Sequence, residues 1–248
     1  MNLLVLADLH YGYSIRTHHI LDKFFKSLPT DYDYCIVAGD IISHSTPQIV
    51  PAMELMSKYL KNVRFVLGNH DYWEINQESR WPTVVKFRDM LVRRIRFANN
   101  KKAKDKKILQ LKDYPIVTDT HIVLGYNSWY ESASPISRDK EYMPKIYDKD
   151  DQEDVMKRMT IKAETALGAT IQYAKMHKGK KKVLVTHMPP YIEDTYFASM
   201  CGQVSHYEKI KSNFDMLICG HNHSYRNDGF VVNPGSDYDN PKYIIVEI

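Results

Sequence analysis

Apolar and polar positions along the chain separate into short strand-like runs and longer amphipathic segments. Runs rich in Val, Ile and Leu that are too short for helices predict buried strands. These strands cover residues 3–7, 34–38, 63–67, 108–111, 121–125, 182–186, 215–219, 229–233 and 242–248. Apolar residues at helical spacing predict helices near 17–28, 48–61, 83–97 and 151–178. Strands and helices alternate in the first third, which is typical of βαβ units that build a mostly parallel sheet.

The segment 151–178 has the clearest helical pattern in the chain. Acidic residues crowd its start and basic residues its end, which suits the helix macrodipole. Gly179 follows as a stop signal. The remainder of the chain is too rich in strands for one parallel sheet. We therefore predict two stacked sheets between layers of helices.

Residues 126–150 show no periodicity and are rich in aromatic residues, Ser and Pro. A segment of this length inside a compact domain is either functional or mobile. The 248 residues contain no internal repeat and no low-complexity tract. We therefore expect a single domain over 1–248 that carries an irregular insertion at about 126–150.

Composition limits the classes of protein to which this chain can belong. The hydrophobic share of 44% and the charged share of 26% are typical of a globular protein, and a formal net charge of +4 does not indicate a concentrated basic face. We interpret the basic clusters at 101–107 and 178–182 as solvated surface. Three cysteines form no disulfide framework, and the sequence shows neither a signal peptide nor a membrane-spanning run. We expect a cytoplasmic protein with no membrane partner.

Five short polar motifs stand directly after five of the predicted strands. They are Asp8-Leu9-His10, Gly39-Asp40, Gly68-Asn69-His70-Asp71, Thr186-His187 and Gly220-His221-Asn222-His223. Ligands bind at the carboxyl ends of strands in α/β proteins, so Asp8, Asp40, Asn69 and the five His of these motifs should reach one edge of a sheet. These residue types are ligands of divalent metal ions. The set is too large for one ion and suits two ions that share a carboxylate.

Spacing within the first and last motifs predicts that the two polar side chains of each motif point in the same direction. Asp8 and His10 are separated by one residue, as are His221 and His223, so on an extended chain each pair points the same way. Gly39, Gly68 and Gly220 begin the second, third and fifth motifs. We expect these glycines to lie where the backbone turns sharply at a strand end.

The middle motifs suggest different roles for neighbouring residues. Asp40 stands alone after its strand and is suited to bridge two ions about 3.5–4 Å apart. Asn69 offers a neutral oxygen. His70 cannot point where Asn69 does, which leaves it available for another task.

In this order the motifs resemble those of the calcineurin-like metallophosphoesterase superfamily. That pattern is Asp-x-His, Gly-Asp, Gly-Asn-His-(Asp or Glu), a lone His and Gly-His-x-His, and it spans most of the chain. The resemblance implies a four-layer αββα sandwich, with two mixed β-sheets flanked by helices and a dinuclear site at one edge. It assigns one metal to Asp8, His10 and His223, the other to Asn69, His187 and His221, and Asp40 as the bridge between them.

The resemblance also implies a reaction. The expected activity is hydrolysis of a small or nucleotide-like phosphodiester or phosphomonoester through a metal-bridging hydroxide. Two cations neutralise the phosphoryl oxygens and lower the pKa of a bound water from about 15.7 towards about 7. We expect Mn²⁺, with Fe, Ni or Zn as alternatives for the same O and N ligands. His70 would donate a proton to the leaving oxygen or stabilise the transition state.

Two positions depart from the Ser/Thr protein-phosphatase branch of this superfamily. That branch has a second Asp after Gly-Asp that orients the catalytic His, and an Arg directly before Gly-Asn-His. Ser43 and Leu67 occupy these positions here. We do not expect a protein phosphatase, and the sequence leaves open which group orients His70.

Two alternatives to a small-molecule phosphoesterase stay open. Asp8-Leu9-His10-Tyr11-Gly12 is similar to the opening motif of SbcD-type nucleases. Those enzymes carry a DNA-binding region after the last motif, and only 25 residues follow His223 here, so nucleic acid is not the favoured substrate. The other alternative is a catalytically silent metal-binding scaffold, although such proteins usually lack several of the ligand histidines.

Further residues near the predicted strand ends are candidates for substrate contact. They are Asn69, His44, Tyr72, Trp73, Trp129 and Arg226. Aromatic side chains at such positions stack on nucleobases or other flat leaving groups. Packing of the insertion onto the sheet edge explains the same aromatics equally well. His44 is a candidate to orient His70 or to meet the substrate, and Arg226 to contact a phosphate.

Overall fold

The elements of the chain follow the predicted order. A computed structural model describes residues 1–44, 46–73, 84–131, 139, 152–192 and 201–248. Within them the strands are β1 (Asn2–Leu6), β2 (Tyr34–Ala38), β3 (Val63–Val66), β4 (Leu109–Gln110), β5 (Ile116–Val117), β6 (His121–Gly125), β7 (Lys181–Val185), β8 (Met216–Ile218), β9 (Arg226–Asn227), β10 (Val231–Asn233) and β11 (Ile244–Glu247). The α-helices are α1 (Thr17–Ser27), α2 (Ile49–Tyr59), α3 (Val84–Asn99), α4 (Gln152–Met176) and α5 (Tyr207–Lys211). Short 3-10 helices cover Thr46–Gln48, His70–Tyr72, Lys104–Lys106 and Val204–His206.

The differences from the predicted elements have local causes. Helix α5 and strands β5 and β9 were not predicted, because two to five residues are too few to show a period. Strand β10 begins at Val231 rather than at Gly229. The reason is Asp228, whose Oδ1 accepts the backbone N–H groups of Phe230 at 3.0 Å and Val231 at 2.7 Å and so forms a turn there.

The strands form two mixed sheets, as predicted. The first has the order β11-β1-β2-β3-β4, in which only β11 runs antiparallel to its neighbour. The second has the order β5-β6-β7-β8-β10-β9. Its four central strands are parallel, and β5 and β9 pair antiparallel at its two edges.

The two sheets pack face to face. One cluster of buried apolar side chains joins Leu3 and Ile36 of the first sheet to Val123 and Val183 of the second. These side chains are at most 1% exposed. The residues that alternate with them along β1 point outward and pack in a second cluster that contains the apolar sides of the helices. The predicted αββα sandwich is therefore confirmed.

The predicted insertion is described only in part. Residues 126–131 and Asp139 belong to the described ranges, and the rest of 126–150 lies outside them. Helix α4 follows and contacts β6 of the second sheet. Among the described residues no helix is long and apolar enough to cross a membrane.

Candidate metal centre

The strand order brings the five polar motifs to one edge of the sandwich. β1, β2 and β3 are parallel neighbours in the first sheet, and β7 and β8 are parallel neighbours in the second. Backbone hydrogen bonds join the loops that follow these strands. The N–H of His10 donates to the carbonyl oxygen of Asp40 at 2.9 Å, and the N–H of Gly220 donates to that of His187 at 3.0 Å. The motifs therefore form one connected set of loops.

Five of the predicted ligand residues have a left-handed backbone conformation. Their φ angles are +52° at Asp8, +45° at His10, +51° at Asp40, +74° at His221 and +54° at His223. A residue with a Cβ adopts this region rarely, at a cost of about 1–3 kcal/mol. The expectation that the first and last motifs are extended was therefore wrong. Their side chains converge because each loop turns at these residues.

The glycines that begin the second, third and fifth motifs serve two different purposes. Gly39 has a φ of +85°, as expected for a sharp turn. Gly68 and Gly220 do not have a left-handed φ, so the predicted reason does not apply to them. A Cβ on Gly68 would lie 2.1 Å from Oδ1 of Asp40 and 2.7 Å from the ring of His187. This glycine is needed because the candidate ligands occupy the space of a side chain.

Asp8, His10 and His223 form one group of candidate ligands. One nitrogen or oxygen atom from each lies within 4.8 Å of the others. The Nε2 atoms of His10 and His223 are 3.3 Å apart, and Nε2 of His223 is 3.8 Å from Oδ1 of Asp8. Asp8 and His10 are buried, whereas the side chain of His223 is 23% exposed. The group therefore opens to solvent beside His223.

Asp40, His187 and His221 form a second group with the same spacing. Nε2 of His187 is its centre: it lies 3.3 Å from Oδ2 of Asp40, 3.2 Å from Nδ1 of His221 and 3.1 Å from Oδ1 of Asn69. Four side chains from four separate motifs thus surround one small volume.

Asp40 lies between the two groups. Its Oδ2 atom is 3.3 Å from Nε2 of His187 and 3.9 Å from Nε2 of His10. Its Oδ1 atom accepts the backbone N–H of His70 at 3.0 Å, which holds the carboxylate in place. The carboxylate of Asp40 therefore faces a histidine Nε2 atom of each group.

Hydrogen bonds outside the groups determine which ring nitrogen faces inward. Nδ1 of His187 lies 2.8 Å from the carbonyl oxygen of Ala38, and Nδ1 of His223 lies 2.9 Å from Oδ1 of Asp237. A carbonyl or carboxylate oxygen accepts, so each Nδ1 donates and Nε2 is left for the centre. Metal-binding histidines generally have such an outer partner.

The second group places acceptor atoms against one another. Nδ2 of Asn69 donates to Oδ1 of Asp139 at 3.0 Å, so Oδ1 of Asn69 is the atom that faces His187. In neutral His187 Nδ1 donates to Ala38, so Nε2 is also an acceptor, and it lies 3.3 Å from Oδ2 of Asp40. Without a positive charge among them, these electron pairs repel one another. The arrangement therefore fits a bound cation.

An unpartnered oxygen supports the same fit. Oδ2 of Asp8 is buried and has no hydrogen-bond partner among the described residues. A buried polar atom without a partner costs free energy unless a ligand satisfies it. Carboxylate, amide oxygen and imidazole together suit divalent transition metals.

The protonation states of the histidines in the two ligand groups depend on their burial and on the carboxylates that face them. Burial lowers the pKa of His10 and His221 well below the ordinary value, so both are neutral near pH 7. Burial also opposes ionisation of His187, but the facing carboxylates of Asp40 and Asp8 outweigh it and raise the pKa of His187 to about 9. The neutral imidazoles are the form that binds metals, and the site around His187 favours positive charge.

The carboxylates of Asp8 and Asp40 differ in pKa. Burial raises the pKa of Asp8 to about 6, although His187 and His223 act in the opposite direction. Burial acts in the same way on Asp40, but the nearby His187 and His70 lower its pKa well below the usual range. Asp40 is therefore the more strongly ionised of the two.

His70 is held by groups that flank it on both sides. Its Nδ1 donates to the backbone carbonyl oxygen of Ser43 at 2.8 Å. Its ring stacks on Trp73 with centroids 3.6 Å apart and an interplanar angle of 28°, and meets the edge of His10 at 4.5 Å. The backbone of Ser43 therefore takes the orienting role that the sequence had left open.

His70 faces the centre more directly than the sequence suggested. Its Nε2 lies 3.9 Å from Oδ2 of Asp40, and with His10 these residues form a third group of the same spacing. The expectation that His70 points away from the position of Asn69 therefore needs qualification. Its free nitrogen is directed at the edge of the same volume.

The aromatic residues predicted to stack on a substrate are mostly buried. Tyr72 and Trp73 are 7% exposed and Trp129 is 2% exposed. Tyr72 packs against Trp129 edge to face, and Trp129 packs against Tyr130 in the same way. The packing interpretation accounts for these rings, because little of their surface is left for a nucleobase.

The two remaining substrate candidates are His44 and Arg226. His44 is half-buried. Arg226 forms an ion pair with Asp228 at 2.7 Å and lies over the ring of Tyr191 at 4.4 Å. These contacts explain the position of Arg226 without a phosphate.

Several residues of the centre had no signal in the sequence. Asp139 is 2% exposed and accepts from Asn69 and Trp73. Tyr238 stacks on His10 with centroids 4.3 Å apart. Neither belongs to a motif, and each is distant in sequence from the residues of the centre that it contacts here.

A family model described as calcineurin-like phosphoesterase matches residues 1–225. No curated protein matches the chain.

Among solved structures, 49 chains match. Phosphopantetheinyl hydrolase from Mycobacterium tuberculosis is 16% identical, with a TM-score of 0.64 over 98% of this chain and 95% of that one. TT1561 of Thermus thermophilus is 13% identical, with a TM-score of 0.58 over 98% and 97%. A dimetal phosphatase from Danio rerio is 10% identical, with a TM-score of 0.58 over 94% and 86%. At these identities the likeness concerns the fold.

Proposed function

The chain belongs to the calcineurin-like phosphoesterase family and is a phosphoric ester hydrolase, and from this premise we propose that it hydrolyses a small or nucleotide-like phosphoester at a centre of two divalent metal ions. The observation that carries the proposal is the position of Asp40. Its Oδ2 atom faces His10 of one ligand group and His187 of the other.

The two groups provide separate places for the ions. Asp8, His10 and His223 would hold one ion, Asn69, His187 and His221 would hold the other, and Asp40 would bind both. The ions, when bound, neutralise the phosphoryl oxygens and activate water for in-line attack. Mn²⁺ is the ion we favour, and Fe, Ni and Zn suit the same ligands.

The protein residues supply orientation and proton transfer. Nδ1 of His70 donates to the carbonyl oxygen of Ser43, so Nε2 is the nitrogen that can exchange a proton with a leaving oxygen. Trp73 covers one face of the imidazole and restricts its rotation. A catalytic group held in this way loses little entropy when the substrate binds.

An aromatic stack beside the centre favours a substrate with a planar group. Tyr238 stacks on His10 with centroids 4.3 Å apart, and Tyr13 stacks on Tyr238 at the same distance. Tyr13 is 49% exposed, so its ring is available to a ligand. Aromatic side chains stack on bases with about 1–3 kcal/mol each. We propose that this stack receives the base or another flat leaving group, in place of the buried rings near Trp129.

The first experiment tests the reaction. Metal-free protein loaded with Mn²⁺ should hydrolyse p-nitrophenyl phosphate or bis-p-nitrophenyl phosphate. Asp40→Ala should abolish hydrolysis, and His70→Ala should lower kcat by about 10²–10⁴-fold. His19→Ala, a change at an exposed histidine in α1, is the matched control and should leave kcat unchanged.

The outcomes separate the alternatives. Full activity in Asp40→Ala would refute the assignment of the centre. If the wild type and His70→Ala are equally inert on every ester, the protein is a metal-binding scaffold. Metal-dependent cleavage of DNA, with no hydrolysis of small esters, would support the nuclease alternative.

The second experiment tests the aromatic stack. Tyr13→Ala should raise KM for a nucleoside 5′-monophosphate by about 5–150-fold, which corresponds to the stacking free energy, and leave KM for glycerol phosphate unchanged. Tyr13→Phe should keep the wild-type KM. Tyr114→Ala, at a tyrosine 54% exposed elsewhere, is the control. Equal effects of Tyr13→Ala on both substrates would contradict the proposal.

A further inference from the structure

Asp139 is a buried carboxylate that accepts three hydrogen bonds from residues around the metal centre. Its Oδ1 atom accepts from Nδ2 of Asn69 at 3.0 Å and from Nε1 of Trp73 at 2.9 Å. Its Oδ2 atom accepts from the hydroxyl of Tyr130 at 2.6 Å. Only 2% of Asp139 is exposed. A carboxylate removed from water to this extent needs such donors, and each of them contacts a histidine of the centre.

The contact with Asn69 determines the direction of an amide. A carboxylate accepts hydrogen bonds and does not donate them, so the nitrogen of the amide faces Asp139. The amide oxygen is thereby directed at Nε2 of His187, 3.1 Å away. The opposite orientation would place two oxygens together at Asp139 and an N–H₂ group among the candidate ligands. Asp139 disfavours that orientation.

The contact with Trp73 reaches His70. The indole N–H is a donor only, and its bond to Asp139 fixes the plane of the ring. His70 stacks on this ring with centroids 3.6 Å apart. The imidazole is thus held at Nδ1 by Ser43 and on one face by a ring that Asp139 anchors.

The contact with Tyr130 extends the same arrangement. The ring of Tyr130 meets the ring of His221 edge to face, with centroids 5.9 Å apart. Asp139, Tyr130 and the residues that they touch therefore border both the second ligand group and His70. Residues 126–131, 139 and the third motif come together here although Asn69 and Asp139 are 70 positions apart.

We propose that Asp139 is the positioning residue of this centre: it directs the amide oxygen of Asn69 towards the second ion and holds Trp73 against His70. This inference rests on the proposed function only in that Asn69 is taken as a ligand. Its two effects are separable, because one acts on metal binding and the other on catalysis.

Asp139→Leu and Asp139→Asn are the decisive pair of variants. Leucine has the same branched arrangement of heavy atoms and accepts no hydrogen bond, so both effects should be lost. In Asp139→Asn the amide oxygen can still accept from Asn69 and Trp73 while its N–H₂ group donates to the hydroxyl of Tyr130. We expect Asp139→Leu to weaken the binding of one of two Mn²⁺ ions by about 10–100-fold in calorimetric titration, and Asp139→Asn to stay within about 3-fold of wild type.

Kinetic measurements on the same proteins should show a lower kcat with little change in KM. Asp139→Leu should lower kcat at saturating Mn²⁺ and change KM little, because Asp139 is only 2% exposed. Trp73→Phe, which keeps a ring and loses the N–H donor, should lower kcat with both ion affinities unchanged. Asp89→Leu, at an exposed Asp in α3, controls for the loss of a carboxylate and should match wild type.

A readout without metal keeps the test independent of the proposed function. In metal-free protein, the side-chain amide protons of Asn69 should exchange with solvent at least 10-fold faster in Asp139→Leu than in the wild type, as measured by NMR. If Asp139→Leu does not fold, Trp73→Phe still tests the hold on His70, because it removes the N–H group that Asp139 accepts, and a wild-type kcat in Trp73→Phe would count against the inference.

The outcomes are distinguishable. Unchanged ion affinity and unchanged amide exchange in Asp139→Leu would overturn the inference even if the wild type is active. A wild type that binds no Mn²⁺ would refute the proposed function, and the amide exchange would then decide for or against the role of Asp139. Loss of both ions together in Asp139→Leu would also count against it, since the inference concerns one ion.

Discussion

The imidazole of His70 is oriented by the backbone of Ser43: Nδ1 of the histidine donates to the carbonyl oxygen of the serine at 2.8 Å. The two residues are 27 positions apart, one in the loop after β2 and the other after β3. A backbone carbonyl is present whatever the side chain, so an acidic residue at position 43 is not required. The substitution of Ser for the Asp of the protein-phosphatase branch therefore does not leave His70 without an anchor.

Ser43→Ala should retain catalysis because the orienting atom is part of the backbone. We expect kcat within about 3-fold of wild type, whereas His70→Ala should lose about 10²–10⁴-fold. Steady-state kinetics at saturating Mn²⁺ provide the comparison. A loss in Ser43→Ala as large as that in His70→Ala would mean that the hydroxyl, not the carbonyl, is the functional group.

Asp237→Leu should weaken the binding of one metal ion and leave the binding of the other unchanged. Oδ1 of Asp237 accepts from Nδ1 of His223 at 2.9 Å and so directs Nε2 to the first ligand group. Loss of such an outer partner typically weakens metal binding by about 10–100-fold. Asp237→Asn keeps an accepting oxygen and should restore most of the affinity. Calorimetric titration of Mn²⁺ into each variant measures this, and equal effects of the two variants would contradict it.

Mn²⁺ should stabilise metal-free protein against heat. An ion that binds only the folded state adds about 2.7 kcal/mol when its concentration is 100 times its Kd. For a chain of this size that corresponds to a rise in Tm of about 5–11 °C. Differential scanning fluorimetry after chelation measures the shift. Asp40→Asn should show less than half of it, and the same shift in both proteins would indicate binding elsewhere.

Gly68→Ala should disable the centre. Its Cβ would lie 2.1 Å from Oδ1 of Asp40 and would displace that carboxylate. We expect loss of Mn²⁺ binding and of hydrolysis, together with a lower free energy of unfolding. Gly168→Ala is the matched control, because no atom lies within 4 Å of the Cβ it would add. That change within α4 should stabilise the protein by about 0.5–1 kcal/mol and keep activity, as urea unfolding and kinetics can show.

Cys35 should resist thiol reagents in the folded protein. It is fully buried in β2, and burial raises the pKa of its thiol far above the usual value. The reactive thiolate is therefore scarce at pH 8 as well as inaccessible. Ellman's reagent should modify Cys35 only after unfolding in guanidinium chloride. Peptide mapping identifies the modified residue, and rapid modification of Cys35 in the native state would contradict its burial.

Much of the fold follows from local patterns in the sequence. Apolar runs such as Leu3 to Ala7 can be stable only as buried strands, and their alternation with amphipathic segments predicts parallel pairing. The surplus of strands after Gly179 predicts a second sheet. Short elements such as α5 were not predictable, because their few residues are held by contacts with the rest of the fold rather than by a pattern of their own.

The candidate ligands were identifiable for a related reason. Polar motifs that end parallel strands must meet at one edge, so Asp40 and His187 come together although 147 positions separate them. The chain by itself thus determined which residues are candidates for the centre. It also determined the order, along the chain, of the strands that carry them.

Only the tertiary structure decided how these side chains are held. The carbonyl of Ser43, the carboxylate of Asp139 and the ring of Tyr238 act through contacts between segments that are distant in the chain. A backbone carbonyl has no residue identity to detect, and a single Asp or Tyr outside a motif carries no pattern of its own. Their positions depend on how these segments pack against one another, and that packing is a property of the whole fold rather than of any local segment.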